Sequence, residues 1–242
     1  VNGQLRKLLR IFLDARLLAT LTVSSLLVSA NWLTFIWGVN NGRALEASMG
    51  YFIFPIVMVG LGRVFLQERL NRAQIFALLL VVLGVTNLLV RQQQQLPWLA
   101  LVLAISMGLY SLVRKQAPVD ALLGLSVECL LLFPLAFAYL LILRQNGELV
   151  FSSLGGSFDL LLAASALMTA LPLILYTSAT RLLRLGTVGL LQYINPSCQF
   201  ILAVFLFNEP FGSAYFYTFL LIWGGLAIFS LDTRRRWRSP PH

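Results

Sequence analysis

The chain has a single histidine, His242, its last residue. Catalysis by histidine and a histidine-containing metal cluster are excluded on that count. Cysteine is almost as scarce. Cys129 and Cys198 show neither metal-ligand spacing nor a disulfide framework, and both fall in apolar stretches, where they read as small packing residues. No GxxxxGK[ST] phosphate loop occurs, so ATP hydrolysis by that route is excluded. No nucleophile–base cluster is visible either, so an enzyme is not expected and no cofactor is implied. Charge is also sparse: Asp, Glu, Lys and Arg make up 11% of the residues, against roughly a quarter in soluble domains.

Apolar length is what the chain has. It is 59% hydrophobic with a mean hydropathy of +0.83, too few charges to clothe a globule in water. A bilayer-spanning helix needs roughly 20 mostly apolar residues. Stretches near 18–39, 45–66, 73–90, 97–113, 121–143, 160–179, 186–207 and 214–231 meet or approach that length. The fold class is therefore all-α, a polytopic membrane bundle of about eight helices. The first apolar stretch is too long for a secretory signal and lacks a small-residue cleavage site.

The net charge of +9 invites a nucleic-acid reading, but no motif supports one, and no nucleic-acid partner is expected. Counting crossings from the N-terminus explains the charge better. One side carries Arg6, Lys7, Arg10, Arg16, Arg69, Arg72, Arg114, Lys115, Arg181, Arg184, Arg234, Arg235, Arg236 and Arg238. The other carries Arg43, Arg91 and Arg144, with Arg63 inside a span. Fourteen against three is a positive-inside signature, which puts both termini in the cytoplasm. Residues 1–16 mix Leu8, Ile11 and Phe12 with basic side chains and suit an amphipathic cytoplasmic segment. Residues 233–242 form a basic tail, with Trp237 placed for the membrane interface. Connections are short, apart from Gln92–Gln95 and the Gly- and Ser-containing stretch 144–159, which suit external loops.

The chain also repeats itself. Residues 43–85 align without a gap on 184–226, an offset of 141 positions. Arg43 matches Arg184, Ile53 Ile194, Pro55 Pro196, Glu68 Glu209 and Gly84 Gly225. Spans 1–3 then correspond to spans 6–8. An offset of five crossings reverses membrane orientation, so the copies are inverted. The organisation is a partial first repeat over 17–91 with three helices and a second over 96–232 with five. A complete first copy would begin roughly 45 residues before Val1, so two N-terminal helices are expected to be missing.

Several runs resemble the RarD subgroup of the EamA family, in the drug/metabolite transporter superfamily. They are Ala30–Asn40, Leu45–Ile53, Gly108–Lys115, Glu128 with Pro134, and Gln192-Tyr193-Ile194-Asn195-Pro196. The resemblance covers essentially the whole chain. It implies ten helices as two inverted five-helix repeats in a bacterial inner membrane. Members carry names for chloramphenicol sensitivity and are regarded as permeases of poorly defined substrate. Where that subgroup usually has Asn before the proline of the first repeat, this chain has Phe54, while Asn195 keeps the pattern in the second.

Ionisable groups inside a span are costly and are functional candidates by default. Glu128 is the sharpest, flanked by Leu125, Val127, Cys129 and Leu130. It suits a proton-coupling or substrate-amine site, or a carboxyl hydrogen-bonded to neighbouring helices. Tyr193 and Asn195 lie beside Pro196, where an irregular helix can line a cavity. Asn31, Tyr110, Trp37 and Gln192 complete the polar and aromatic set, each equally suited to packing. Glu46 joins the pathway candidates, although its place near a helix N-terminus already suits a carboxylate. Glu68 and Glu209 are expected to serve the start of the helix that follows each. Arg63 is expected to snorkel to headgroups, with a cavity-facing salt bridge as the alternative.

The pattern fits a multi-pass inner-membrane secondary transporter of a small organic metabolite or drug, with alternating access between inverted repeats and proton coupling as a candidate. A non-transporting membrane protein or an inactive fragment is the alternative. The expected partners are the lipid bilayer and a small-molecule substrate. An incomplete first repeat would also favour a homodimer.

Overall fold

A computed structural model describes residues 2–91, 98–149, 151, 155–205 and 213–238. Glu209, Gln92–Gln95 and His242 lie outside the described residues. Helices joined by turns and short irregular segments account for the described residues, and no strand occurs among them. In order they are α1 (Asn2–Leu13), α2 (Ala15–Asn40), α3 (Ala44–Phe65), α4 (Arg72–Arg91), α5 (Trp98–Gln116), α6 (Ala121–Gln145), α7 (Gly156–Leu182), α8 (Leu185–Leu191), α9 (Ile194–Phe205) and α10 (Ser213–Arg238). Six of them, α2 to α7, are long and apolar enough to cross a membrane. α10 carries a shorter apolar stretch, Phe216–Asp232, and continues through the basic run that the sequence places in a tail beginning at 233.

Local sequence sets the helix ends. Asp14 separates α1 from α2, and its carboxylate accepts the Arg16 and Leu17 amides at 3.1 Å each, capping α2. Asn71 and Gln74 form a reciprocal capping box for α4: Gln74 N–H donates to Asn71 Oδ1 at 2.7 Å and Asn71 N–H to Gln74 Oε1 at 3.1 Å. The expected continuous span over 186–207 is instead two helices broken at Gln192–Tyr193. Proline has no N–H and its ring clashes with the carbonyl four residues back, here that of Gln192. The Gln192 carbonyl accepts from Asn195 N–H instead, at 3.2 Å. Pro196 thus sits in the first turn of a new helix, where proline is tolerated.

The helices fall into two compact units: Val1–Ser29 with Tyr110–Leu182, and Ala30–Leu109 with Leu183–His242. In the first, Ile11 of α1 and Leu21 of α2 are buried with Val119, Leu123 and Val127. The basic side chains of α1 point away, with Arg6, Lys7 and Arg10 exposed. α6 and α7 turn Leu130, Phe133, Leu135, Leu160, Leu161 and Leu167 outward, an apolar surface suited to lipid. Cys129 lies on that outward surface and Cys198 is also exposed, so neither is the packing residue expected.

The second unit is built on the pairing of α4 with α10 and of α3 with α8. Its core joins Val59, Val81, Leu88, Leu190, Phe219 and Ile222. At the α4–α10 crossing small residues let the backbones meet. A Cβ on Gly84 would lie 3.0 Å from the Thr218 carbonyl oxygen, and one on Gly225 would lie 2.7 Å from that of Ala77. Thr218 Oγ1 donates to the Gly84 carbonyl at 3.0 Å.

Candidate functional site

The first unit holds a buried charged cluster built from three helices. α6 brings Glu128, α5 brings Tyr110 and Arg114 one turn apart on one face, and α2 brings Ser24. Arg114 is 0% exposed and Glu128 1%. Arg114 Nε lies 3.5 Å from Glu128 Oε1, and Tyr110 donates its hydroxyl to Oε2 at 3.3 Å. Ser24 Oγ stands 2.5 Å from Oε1 and 3.0 Å from the Leu21 carbonyl oxygen. Arg114 Nη2 donates to the Ala121 carbonyl at 3.1 Å, while Nε and Nη1 have no hydrogen-bond acceptor among the described residues.

The guanidinium fits because of Gly124, one turn before Glu128 on the same face of α6. A Cβ there would overlap Nη1, Cζ and Nη2 of Arg114. Around the pair the remaining polar groups are engaged. Ser111 Oγ and the Tyr176 hydroxyl are 2.5 Å apart, and Lys115 Nζ donates to the Thr180 carbonyl at 2.8 Å. Arg181 donates to the Val119 carbonyl and lies 3.7 Å from Asp120. The cluster therefore contains one buried positive and one buried negative charge in mutual contact. Separating such a pair is far more costly than keeping it.

Of the six residues the sequence singles out, Glu128 and Tyr110 are brought together in this cluster. The other four belong to the second unit. Tyr193 is fully buried and donates its hydroxyl to the Phe52 carbonyl at 2.7 Å. Asn195 is exposed on α9. Asn31 donates through Nδ2 to the Leu103 carbonyl at 2.8 Å and to Ser106 Oγ at 2.9 Å. Glu46 pairs with Arg43 at 2.6 Å and accepts the Leu99 amide at 3.0 Å, tying α3 to the start of α5. Arg43 also stacks over Trp37 and Trp98, 5.9 and 5.1 Å from the ring centroids.

Arg114 and Ser24 are the residues that sequence reasoning missed. The charge pattern places Arg114 with the cytoplasmic charges and gives no sign of its burial, whereas Arg63, inside a span, is exposed near the end of α3. The helical spacings Tyr110–Arg114 and Gly124–Glu128, each four residues, are the signal that could have found it. Glu68 is a second correction. It does not serve α4, which follows it. Gln67 takes a left-handed φ of 55° and turns the chain, and Glu68 accepts the Leu185 amide at 2.7 Å and the Gly186 amide at 3.1 Å. It caps α8, whose unpaired N–H groups and dipole favour a carboxylate. Glu68→Ala should therefore lower stability by about 1–2 kcal/mol in detergent unfolding, and Glu68→Gln by less. A shallow cleft beside this cap is rimmed by Glu68, Arg69, Gln74 and Arg184 over Leu190 and Phe229, and contains none of the six residues. Among the described residues no group of three or more His, Cys, Asp or Glu could hold a metal ion.

Long apolar helices enclosing a buried acid–base pair define a polytopic helical membrane protein with a charged group inside it. The model of the EamA-like transporter family matches residues 4–90. Protein RarD of Salmonella typhi is 42% identical over 96% of this chain and 79% of its own length. An uncharacterized transporter of Pseudomonas aeruginosa is 43% identical over 91% of this chain and 74% of its own. A solved crystal structure shares the fold, with a TM-score of 0.54 at 18% identity, covering 93% of this chain and 89% of that one. The chain belongs to the EamA-like transporter family, in the group whose members are named RarD. It is a multi-pass membrane transporter of the drug/metabolite superfamily.

Proposed function

We propose that the protein is a proton-coupled secondary transporter of a small organic metabolite or drug in a bacterial inner membrane, with both termini cytoplasmic. The observation that carries this reading is Glu128, held at 1% exposure inside a membrane helix and touched by Ser24, Tyr110 and Arg114. A carboxylate so placed is costly and is retained where charge movement is needed. Alternating access between inverted repeats supplies the movement. Contacts of the second unit support such a repeat. Gly84 meets Thr218 as Gly225 meets Ala77, and the residues exchanged, 84 with 225 and 77 with 218, share the offset of 141 positions found in the sequence. Tyr193 and Phe52, which bond each other, are 141 positions apart as well.

The test is flux of labelled small solutes, chloramphenicol among them, into proteoliposomes with and without a pH gradient. Wild-type protein should accumulate a solute only with the gradient. Glu128→Gln should remain in the membrane and lose the gradient dependence. Unchanged gradient-driven flux in that variant would remove Glu128 from the mechanism, and absence of flux for every solute would remove the transport reading.

A further inference from the structure

The Ser24 hydroxyl has one proton and two acceptors within reach, the Leu21 carbonyl at 3.0 Å and Glu128 Oε1 at 2.5 Å. One proton serves one acceptor. When Glu128 is ionised, Ser24 donates to it. When Glu128 is protonated on Oε1, that carboxyl donates to Ser24 Oγ while the serine proton turns to the Leu21 carbonyl. Both protonation states are thus satisfied by rotating one hydroxyl. Tyr110 donates to the other oxygen, Oε2, in either case.

The charge is not satisfied in both. Ser24 and Tyr110 are the neutral groups facing the carboxylate, and Arg114 is the cation facing it. From α7, Tyr176 is bonded to Ser111, and Arg181 to the Val119 carbonyl with Asp120 3.7 Å away; Lys115, on α5, is bonded to the Thr180 carbonyl. The cations of α1 (Arg6, Lys7, Arg10) are exposed. A proton on Glu128 therefore leaves Arg114 as a fully buried guanidinium without a counter-ion among the described residues. Two of its nitrogens, Nε and Nη1, already lack an acceptor. An uncompensated buried charge is strongly unfavourable, and the ligand that relieves it must bring a negative charge. A guanidinium fork is suited to a carboxylate or another oxyanion.

We propose that Arg114 is the recognition group for an organic anion and that Glu128 is its built-in competitor, so that protonation of Glu128 and binding of the anion occur together. This rests on the transporter reading and deepens it, making the solute class an organic acid taken up with a proton. Because the pair is buried in the conformation described, the anion reaches Arg114 when the packing of α2, α5 and α6 opens. Linkage is reciprocal: the proton promotes anion binding and the anion promotes proton uptake.

The probe is benzenesulfonate, which stays ionised throughout the accessible pH range, with neutral benzenesulfonamide and cationic trimethylanilinium for comparison. Binding to the purified protein in detergent is followed by calorimetry in buffers of different ionisation enthalpy. Between about pH 8 and about pH 6 the affinity for benzenesulfonate should rise at least about tenfold, with uptake approaching one proton per anion. Glu128→Gln, which mimics the protonated acid, should bind equally well at both pH values and take up no proton. Arg114→Gln should lose binding at both. Arg114→Lys, which keeps the charge, should retain the pH dependence and separates loss of recognition from loss of fold.

Absence of benzenesulfonate binding to wild-type protein at the lower pH would overturn the proposal. So would pH-independent binding, or equal binding of the neutral and cationic analogues. The transporter reading fails separately. Gradient-driven flux of neutral or cationic solutes without anion binding leaves the transporter and removes the inference. Proton-linked anion binding without any flux does the reverse.

Discussion

Gly124→Ala should destabilise the protein by about 3–5 kcal/mol, the scale expected when a buried ion pair is broken with one charge left behind. The new methyl would occupy the space of the Arg114 guanidinium, overlapping three of its atoms. An exposed arginine could swing aside. Arg114 cannot do so cheaply, because it is 0% exposed and its Nη2 is bonded to the Ala121 carbonyl in the first turn of the same helix. Moving it gives up that bond and its approach to Glu128 together. The direct measurement is equilibrium unfolding of the purified variant in mixed detergent micelles.

The background decides the mechanism. In an Arg114→Met, Glu128→Leu double variant no guanidinium competes for the space, and both charges are gone. Replacing such a pair with apolar side chains is often neutral or stabilising. Adding Gly124→Ala there should then cost under about 1 kcal/mol, since alanine is also the better helix former. The same loss in both backgrounds would show that Gly124 matters for helix packing alone and not for housing Arg114.

How much of this was legible follows from where each signal resides. Asp14 before α2 and the Asn71-x-x-Gln74 pattern are local, so the helix starts can be read from a few residues. The apolar runs gave the long helices because crossing a bilayer is a demand on length. The partner of Glu68 was not legible. It lies 117 positions away, and nothing local distinguishes a carboxylate that caps the next helix from one that caps a remote one. Arg114 was hidden for a different reason. A basic residue at the end of an apolar run looks like a positive-inside charge, and only Gly124 and Glu128 on a neighbouring helix turn it inward. Pro196 was visible, but its effect depended on context: α3 continues unbroken past Pro55, while the helix before Pro196 stops.

The crossing of α4 and α10 gives the second large effect, and adjacent glycines make it a controlled one. Gly225→Ala should cost about 1–3 kcal/mol by overpacking. Its Cβ would lie 2.7 Å from the Ala77 carbonyl oxygen and 3.0 Å from Val81 Cγ2, and the first of these is backbone that can yield only if the helices separate. Separation would also stretch the Thr218 hydrogen bond to the Gly84 carbonyl, so the penalty reaches both sides of the crossing. Gly224→Ala, one position earlier, meets nothing within 4 Å and should be neutral or stabilising by up to about 1 kcal/mol through helix propensity. Gly84→Ala should behave like Gly225→Ala with a smaller loss, its nearest contact being 3.0 Å from the Thr218 carbonyl. Unfolding of the three variants in the same micelles measures all of this at once. If Gly224→Ala and Gly225→Ala fall together, the crossing is not held by close backbone approach, and the matched contacts that support the inverted repeat lose their energetic meaning.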